Sequence, residues 1–351
     1  MRACIRRIPS PRRFVPTPAA ALPILGLLLA VAPFSAGQTT PPDTTLHSTS
    51  TLVVVPTLVR TPAKDPVYSL AEGDFALTDD GVLQKIAVEA DQANGTRPLS
   101  LVVLMQIGGA AQARGNYAHL DTMLASIVGK APNKVAIVQF DSRPEYDSPF
   151  TSDLSEWSDA INQPEHGDGG AAIFDGLAYA LKLLKDQPRD TRHAILLISQ
   201  QHDEGSKTNA KEIVRDLGEN NTAVYSLTFS VEKATLQGAW HDLTHHDKPY
   251  SIDQPGVDLL APIELALGAM QKNMAAETAS LSGGEPFAFS NKHQFDMALN
   301  TLANHVKNGY TLTFQPTSSQ AGLHTLKVSI PDHPEFLIDA RVNYWSSNSD
   351  K

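Results

Sequence analysis

Hydrophobic and polar positions alternate between strand-like and helix-like spacing through the middle of this chain. Four short apolar runs, typical of buried strands, lie at residues 101–105, 135–140, 195–198 and 223–229. The segments that alternate with them have apolar positions at helical spacing and lie at residues 117–128, 173–184, 207–217 and 259–281. A last strand and a last helix are predicted at 287–289 and 294–306. This alternation predicts a doubly wound α/β domain with a mostly parallel sheet, which we place at residues 97–308.

The flanking segments have the pattern of antiparallel strands. Residues 50–60 are rich in β-branched side chains, and Pro56 among them predicts an edge position or a bulge. Asp79-Asp80-Gly81 is a hairpin-turn sequence between alternating runs at residues 75–78 and 82–88. Near the end of the chain, strand patterns return at residues 310–314, 324–330 and 336–345. We therefore predict a small antiparallel β-sandwich built from residues 49–96 and 309–346, with the α/β domain inserted between its two parts.

The first 37 residues differ in composition from the rest. Five arginines precede an apolar run at residues 19–34, and small residues follow at 35–37. This arrangement predicts a cleaved signal peptide at residues 1–37, and hence a secreted or periplasmic protein. The alternative is an uncleaved leader, which would be the chain's one link to a membrane, but the run is short for a span of about 20 residues. Residues 38–48 are polar and rich in Pro and Thr, which predicts a linker.

Charge and composition exclude several classes of function. The formal net charge is −10 at pH 7, and the leader holds five of the 28 basic residues, so the remainder is more acidic still. Such a chain repels phosphate, and we expect no nucleic-acid partner. The only cysteine, Cys4, lies in the leader, which excludes disulfides, thiolate metal sites and cysteine nucleophiles from the mature protein. No nucleophile elbow, phosphate-binding loop or dinucleotide fingerprint occurs between a strand and a helix.

The apolar strand at residues 101–105 and the small-residue loop after it resemble the first strand and loop of a von Willebrand factor type A domain. Further stretches make the chain similar to the von Willebrand factor A-related family of secreted bacterial proteins that is abundant in Acidobacteria. These stretches are residues 52–60, 70–81, 169–177, 276–284 and 340–345. The resemblance spans roughly residues 50–346. It implies a fold whose ligands bind at the carboxyl ends of the central strands.

In that family, three loops at this edge of the sheet hold a divalent cation, the first of them through Asp-x-Ser-x-Ser. The corresponding positions in this chain are Gln106, Gly108 and Ala110 in the first loop, Ala171 in place of a threonine in the second, and Gln200 in place of an aspartate in the third. Mg²⁺ needs oxygen ligands and typically a carboxylate. The resemblance therefore implies a degenerate metal-ion-dependent adhesion site and no cofactor.

Acidic residues near these loops leave a displaced metal site open as an alternative. They are Asp141, Asp168, Asp175, Asp203 and Glu204. We interpret Asp175 as a residue that caps or hydrogen-bonds near the start of its own helix. Asp203 and Glu204 are interpreted as loop and helix-start charges, which the helix dipole favours.

Residues 240–247 contain the densest set of potential metal ligands. His241 and His245 are four positions apart, so on a helix they would share one face. The spacing is similar to that of zinc-binding helices, but the glutamate of His-Glu-x-x-His is absent and the sequence identifies no distant third ligand. A solvated loop is the alternative interpretation.

These observations favour a secreted, non-catalytic binding or scaffold module with a protein partner that the sequence does not identify. Its recognition face would be formed by the loop tips at residues 106–114, 165–173 and 200–206, without a metal and without enzyme activity. The alternative is a metal-dependent enzyme or zinc-binding protein that uses His241 and His245. A purely structural envelope protein is a further alternative.

Overall fold

The computed structural model describes the chain in ten ranges. They are residues 52–90, 97–108, 120–129, 132–164, 167–188, 190–229, 267–268, 270, 273–318 and 320–347. The predicted signal peptide and linker, Ala110 and the histidine pair His241 and His245 lie outside these ranges.

The strands and helices are numbered in chain order over the described ranges. The strands are β1 Val53–Arg60, β2 Ala76–Asp79, β3 Val82–Leu83, β4 Ile86–Ala90, β5 Leu99–Gln106, β6 Lys134–Phe140, β7 Pro144–Thr151, β8 Arg192–Ser199, β9 Thr222–Phe229, β10 Pro286–Phe289, β11 Tyr310–Phe314, β12 Gly322–Ser329, β13 Leu337–Ala340 and β14 Asn343–Ser346. The helices are α1 Leu120–Val128, α2 Leu154–Asn162, α3 Ile173–Lys185, α4 Ala210–Glu219, α5 Met274–Ser282 and α6 Lys292–Lys307.

The predicted α/β architecture with a mostly parallel sheet is confirmed. Six strands form one sheet in the order β10-β9-β8-β5-β6-β7, and all neighbours are parallel except β6 and β7. All eight residues of the central strand β5 are buried, as expected for a strand covered on both faces. Helices α1, α2 and α6 pack on one face, and α3, α4 and α5 pack on the other.

Two elements of this unit are absent from the sequence-based prediction. Strand β7 is the antiparallel edge strand, and it contains two prolines and mostly exposed or half-buried positions. An edge strand needs partners on one side only, so it tolerates proline and lacks a strong apolar alternation. Helix α2 follows it, with Asp153 as the N-cap that accepts from Ser155 N.

The prediction of one continuous helix over residues 259–281 is wrong in its described part. Asn273 has an extended backbone and its side chain accepts from Ala276 N, so it is the N-cap of α5. Apolar spacing continues across this position, but an asparagine that caps a new helix ends the run of helical backbone. Helix α5 then ends at Ser282, and the next residue, Gly283, has a positive φ of 84°, which suits glycine.

The remaining strands form two antiparallel sheets that combine segments from both ends of the described chain. The orders are β13-β1-β11-β4 and β14-β12-β2-β3. Strand β1 pairs with β11 from Val53↔Phe314 to Thr57↔Tyr310, and β12 pairs with β2. Side chains from both sheets join one hydrophobic cluster that includes Val55, Leu77, Leu312 and Tyr344. The domain boundaries proposed above stay predictions.

The predicted hairpin turn is present, but the runs that follow it divide between sheets. Asp80 and Gly81 have positive φ values of 48° and 81°, as a type I′ turn requires. The run at 82–88 contributes β3 to one sheet and β4 to the other, and the run at 336–345 divides in the same way into β13 and β14. In the described ranges, no helix is long and apolar enough to cross a membrane.

Candidate functional site

The three loops that resemble the family's metal site meet at the carboxyl edge of the parallel sheet. Gln106 is the last residue of β5, and Gln200 follows the last residue of the neighbouring strand β8. The second loop, residues 167–172, leads into α3. We call the described parts of these segments, together with residues 141–143 after β6, the loop face.

Gln106 and Gln200 are bonded to each other across two parallel strands. Gln106 Oε1 accepts from Gln200 N at 2.8 Å, and Gln106 Nε2 donates to Gln200 Oε1 at 3.2 Å. Gln106 Nε2 also donates to Gly108 O at 3.0 Å, and Gln200 Nε2 donates to His202 O at 2.9 Å. The two residues are 0% and 4% exposed. The amides therefore connect the first loop to the third through neutral hydrogen bonds in a buried environment.

The backbones of the loops approach too closely for side chains at three glycines, Gly108, Gly167 and Gly170. A Cβ at Gly108 would lie 2.5 Å from Gly170 O and 2.9 Å from Asp168 O. A Cβ at Gly170 would lie 2.6 Å from Ser142 N and would also collide with Ser142 Oγ. Glycine is required here because neighbouring backbone occupies the place of a side chain.

Ala171 is fully buried and joins the second loop to the third. Its N–H donates to Glu204 O at 3.2 Å, and Glu204 N donates back to Ala171 O at 2.9 Å. The next residue, Ala172, donates to Asp141 O at 2.7 Å. The methyl group of Ala171 supplies no ligand oxygen.

Asp141 and Asp168 hold the backbone of the loop face. Asp141 Oδ2 accepts from Asp168 N at 3.0 Å, and Asp168 Oδ1 accepts from Gly170 N at 2.7 Å and from Ser142 N at 3.2 Å. Hydrogen bonds from the Ser142 side chain and from Gly170 N–H lower the pKa of Asp168. Both carboxylates thus act as acceptors for loop amides.

Asp203 and Asp175 bond across loops in the same manner. Asp203 Oδ1 accepts from Phe174 N at 3.0 Å, in the first turn of α3, where the N-cap residue Ala172 has no side-chain acceptor. Asp175 accepts from Lys207 N at 3.0 Å and from Thr208 N at 2.8 Å. The partners of Asp175 therefore lie in the loop before α4, and the hydrogen-bonded amides do not belong to its own helix.

The acidic residues of the loop face do not come together as a ligand set. Among the described residues, ligand atoms of at least three acidic or histidine side chains come within 4.8 Å of one another at Asp79, Asp80 and His324. These three lie in the antiparallel sheets. The sequence gives no signal that these residues meet, because Asp79 and Asp80 have a turn pattern and His324 is far away in the chain within a strand pattern.

A cavity of about 450 Å³ borders the loop face. It lies between the starts of α3 and α4 and the start of α5. Its lining combines apolar and polar side chains, among them Phe174, His202, Asp203, Lys211, Met270 and Met274.

Comparison with known proteins identifies a family for part of the chain. Residues 109–202 match the von Willebrand factor type A domain. No curated protein matches the chain.

Similar solved structures cover larger parts of the chain at low identity. BatB from Bacteroides thetaiotaomicron is 13% identical over 60% of this chain and 100% of its own, with a TM-score of 0.38. A point mutant of the PilB minor pilin from Streptococcus sanguinis is 12% identical over 61% of this chain and 62% of its own, with a TM-score of 0.40. Proximal thread matrix protein 1 from the mussel byssus is 12% identical over 66% of this chain and 50% of its own, with a TM-score of 0.42.

The matched segment runs from the loop after β5 to the loop after β8 and includes Ala171 and Gln200. The sequence-based resemblance is therefore supported over this segment, since residues 109–202 match the von Willebrand factor type A domain.

Proposed function

We propose that this chain is a secreted or periplasmic, non-catalytic protein-binding or scaffold module. Its von Willebrand factor A-like domain binds a protein partner with the loop face and does not use the family's metal. The antiparallel strands on either side of this domain form a β-sandwich that carries it. The family has its ligand site at the same edge of the sheet, which agrees with the general location of sites in open α/β sheets.

The observation that carries this proposal is the buried pair of Gln106 and Gln200. At these two positions the family has carboxylates, and here two neutral amides bond to each other and to loop backbone. A cation bound in their place would have to break these hydrogen bonds and would gain no charged ligand from either residue. Because Mg²⁺ loses its hydration shell reluctantly, such a site favours direct binding without an ion.

The same hydrogen bonds prepare the loop face for recognition. Gln106, Asp168, Asp175 and Asp203 each join different loops, so the backbone at this edge is held in one arrangement before a partner arrives. A rigid loop face loses little conformational entropy when it binds. Loops on a rigid scaffold are also where proteins most often place recognition residues.

Three exposed side chains of the loop face are suited to a first test. Arg143, His202 and Glu204 are exposed, and the hydrogen bonds that hold the loops together do not depend on their side chains. The triple variant Arg143→Ala, His202→Ala and Glu204→Ala therefore removes contact groups while it leaves the fold intact. The matched control is Lys134→Ala, Asp186→Ala and Asp190→Ala, three exposed residues near the amino-terminal edge of the same sheet.

The experiment measures capture of exported proteins of the source organism by the purified chain, with a metal chelator present throughout. We expect one partner to bind the wild type and the control variant equally, and the loop-face variant at least about 10-fold more weakly, equivalent to about 1.4 kcal/mol. Equal binding by both variants would contradict the assignment of the loop face. Binding that appears only in a parallel measurement without the chelator would contradict metal independence.

A further inference from the structure

A second cluster of polar side chains lies in the antiparallel sheets, where the turn between β2 and β3 meets β12 and β14. Asp79 ends β2, Asp80 is in the turn, and His324 lies on β12. The turn is fixed to β12 by two hydrogen bonds, from Asp80 N to Thr325 O at 2.9 Å and from Thr325 N to Asp80 Oδ1 at 2.8 Å. Residues from opposite ends of the described chain are thus held side by side.

Three ligand atoms face one another in this cluster. His324 Nδ1 is 2.8 Å from Asp80 Oδ2 and 3.5 Å from Asp79 Oδ1, and all three atoms lie within 4.8 Å of one another. Asp79 and His324 are buried, with 3% and 2% of their surface exposed. The Asp80 side chain is 44% exposed, so the cluster opens to solvent on one side.

Two of these buried atoms lack a hydrogen bond although both residues are otherwise well held. Among the described residues, neither His324 Nδ1 nor Asp79 Oδ1 has a hydrogen-bond partner. The other ring nitrogen, Nε2, lies 2.8 Å from Gln320 O, and the other carboxylate oxygen, Asp79 Oδ2, accepts from Tyr344 Oη at 2.9 Å. The imidazole ring also stacks on the Tyr344 ring, with 4.8 Å between the two ring centroids.

These contacts determine which nitrogen carries the proton. A backbone carbonyl only accepts hydrogen bonds, so Nε2 carries a proton, and in the neutral form of the ring Nδ1 has a lone pair. That lone pair points toward two carboxylates, which is unfavourable unless a positive charge lies between them.

A metal ion fits this arrangement better than a second ring proton. A proton on Nδ1 would have to point at a carboxylate oxygen, and the contact to Asp80 Oδ2 lacks the geometry of a hydrogen bond. The ligands of one tetrahedral ion lie about 3.3 Å apart, with the ion rather than the other ligand on the lone-pair axis. The separations of 2.8 and 3.5 Å on either side of His324 Nδ1 lie on both sides of that spacing, so small side-chain rotations would bring the three atoms around one ion.

We propose that Asp79, Asp80 and His324 bind one divalent transition-metal ion of the Zn²⁺ class. One imidazole and two carboxylates are ligands that Zn²⁺ accepts, and a water molecule completes the coordination on the exposed side of Asp80. The backbone carbonyl of Gln320 and the hydroxyl of Tyr344 orient the ligands, as outer partners do in metal sites. This site is separate from the loop face and goes beyond the proposed function.

The role of such an ion is structural. Asp80 and Thr325, the neighbour of His324, are 245 positions apart in the chain. A metal bond between the turn and β12 closes this long loop in the folded state and raises the stability of the whole unit.

The test is calorimetric titration of Zn²⁺ into the purified, metal-stripped chain at neutral pH, with thermal unfolding as a second readout. We expect the wild type to bind Zn²⁺ and to unfold at a higher temperature with it. Asp80→Asn keeps the Oδ1 acceptor for Thr325 N, so it folds, and it should weaken Zn²⁺ binding at least about 10-fold. Tyr344→Phe removes only an outer hydrogen bond and should weaken binding by about 10- to 100-fold.

The control is His333→Gln, because His333 Nδ1 also lies near a carboxylate, 3.1 Å from Glu335 Oε1, but both side chains are exposed. This variant should bind Zn²⁺ like the wild type. The proposal is overturned if the wild type does not bind Zn²⁺, or if His324→Gln and Asp80→Asn bind it unchanged. It is equally overturned if His241→Ala with His245→Ala removes all binding, which would assign the ion to that pair. The capture of a protein partner is measured with chelator present and so does not depend on Zn²⁺. None of these outcomes therefore affects the test of the proposed function.

Discussion

Under the proposed function, Gln106 and Gln200 have an amide where the family has an ionised carboxylate. An amide donates as well as accepts, so each residue bonds to the other and to loop backbone while it is buried. A carboxylate in the same place could only accept and would carry a charge that burial penalises. At the scale of single residues, the side-chain amide nitrogens of Gln106 and Gln200 therefore decide that this edge of the sheet is held by neutral hydrogen bonds.

The variant Gln106→Asp alone should not create an Mg²⁺ site. Under the proposed function, Gly108 and Ala171 stand where the family has hydroxyl ligands, and neither has a side-chain oxygen. The new carboxylate would lose the donor bonds to Gly108 O and Gln200 Oε1. We expect a loss of about 1–3 kcal/mol in the free energy of unfolding and no rise in unfolding temperature with Mg²⁺. Gln163→Asp, at an exposed position, is the control. A stabilisation of Gln106→Asp by Mg²⁺ would disprove the prediction.

Gly169 and Gly170 are adjacent and offer a matched pair for the packing of the loop face. A Cβ at Gly170 would collide with Ser142, whereas a Cβ at Gly169 would meet no atom within 4 Å. We expect Gly170→Ala to reduce the free energy of unfolding by about 1–3 kcal/mol and Gly169→Ala to change it by less than about 0.5 kcal/mol. Denaturant unfolding measures both. If the two variants changed the free energy of unfolding equally, the loops would be able to move apart at little cost in free energy.

At the scale of elements, the helices of the α/β unit are joined to loops that are distant in sequence. Helix α4 has its own capping box, in which Asn209 and Glu212 bond reciprocally to backbone N–H groups. Helix α3 has no such local cap, and Asp203 from the loop after β8 accepts from its first turn instead. The start of α3 and the loop before α4 are further connected by Asp175. The position of α3 therefore depends on the loop after β8.

Asp175 should make this connection sensitive to acid. Burial acts to raise the pKa of Asp175, but hydrogen bonds from Thr208 and from Lys207 N–H outweigh it, so the pKa lies below its usual value. A carboxyl group with a lower pKa in the folded state adds stability above its unfolded pKa of about 3.9 and loses that contribution as the pH falls through the folded pKa. We expect the stability difference between wild type and Asp175→Asn to shrink from pH 7 to pH 3.

Urea unfolding of both proteins across this pH range measures the difference. Asp190→Asn, which removes an exposed carboxylate near the opposite edge of the sheet, controls for the loss of one negative charge. A difference between wild type and Asp175→Asn that is constant with pH would contradict the role of the ionised carboxylate.

At the scale of the whole molecule, Arg341 joins the antiparallel sheets to the α/β unit. It is 1% exposed, and Nη1 donates to Val54 O at 3.1 Å and to Asn221 Oδ1 at 3.0 Å, while Nη2 donates to Leu217 O near the end of α4. Burial lowers its pKa to about 10, so the group is still charged at neutral pH. The partial negative charge at the end of a helix favours a cation there.

Arg341→Met should destabilise the protein by about 2–4 kcal/mol, because the acceptors at Val54 and Leu217 would be left buried without this donor. Arg341→Lys should also destabilise it, since one ammonium group cannot reach acceptors in both places. Arg215→Met is the control, because the Arg215 side chain is 50% exposed. Denaturant unfolding should show a single transition that shifts as a whole for Arg341→Met. If only one part of the protein became less stable, the connection would be weaker than proposed.

Hydrophobic periodicity by itself determined the α/β class, the mostly parallel sheet and the hairpin at Asp79-Asp80-Gly81. These features depend on local pattern, since a buried strand needs apolar side chains on both faces and a type I′ turn needs residues that tolerate positive φ. The family resemblance also implies that Gln106 and Gln200 stand in place of ligand carboxylates, and this stays a prediction. The sequence did not determine that the two amides bond to each other.

Only the tertiary structure decided how distant segments combine. It divided the runs at 82–88 and 336–345 between two sheets, brought α3 and Asp203 together, and placed His324 beside Asp79 and Asp80. The hydrogen bond between Asp203 and Phe174 joins residues 29 positions apart, and the one between Asp80 and Thr325 joins residues 245 positions apart. Side-chain period repeats over a few residues and contains no information on which strands become neighbours across such a distance. That choice is made when the hydrophobic faces of all elements are buried together.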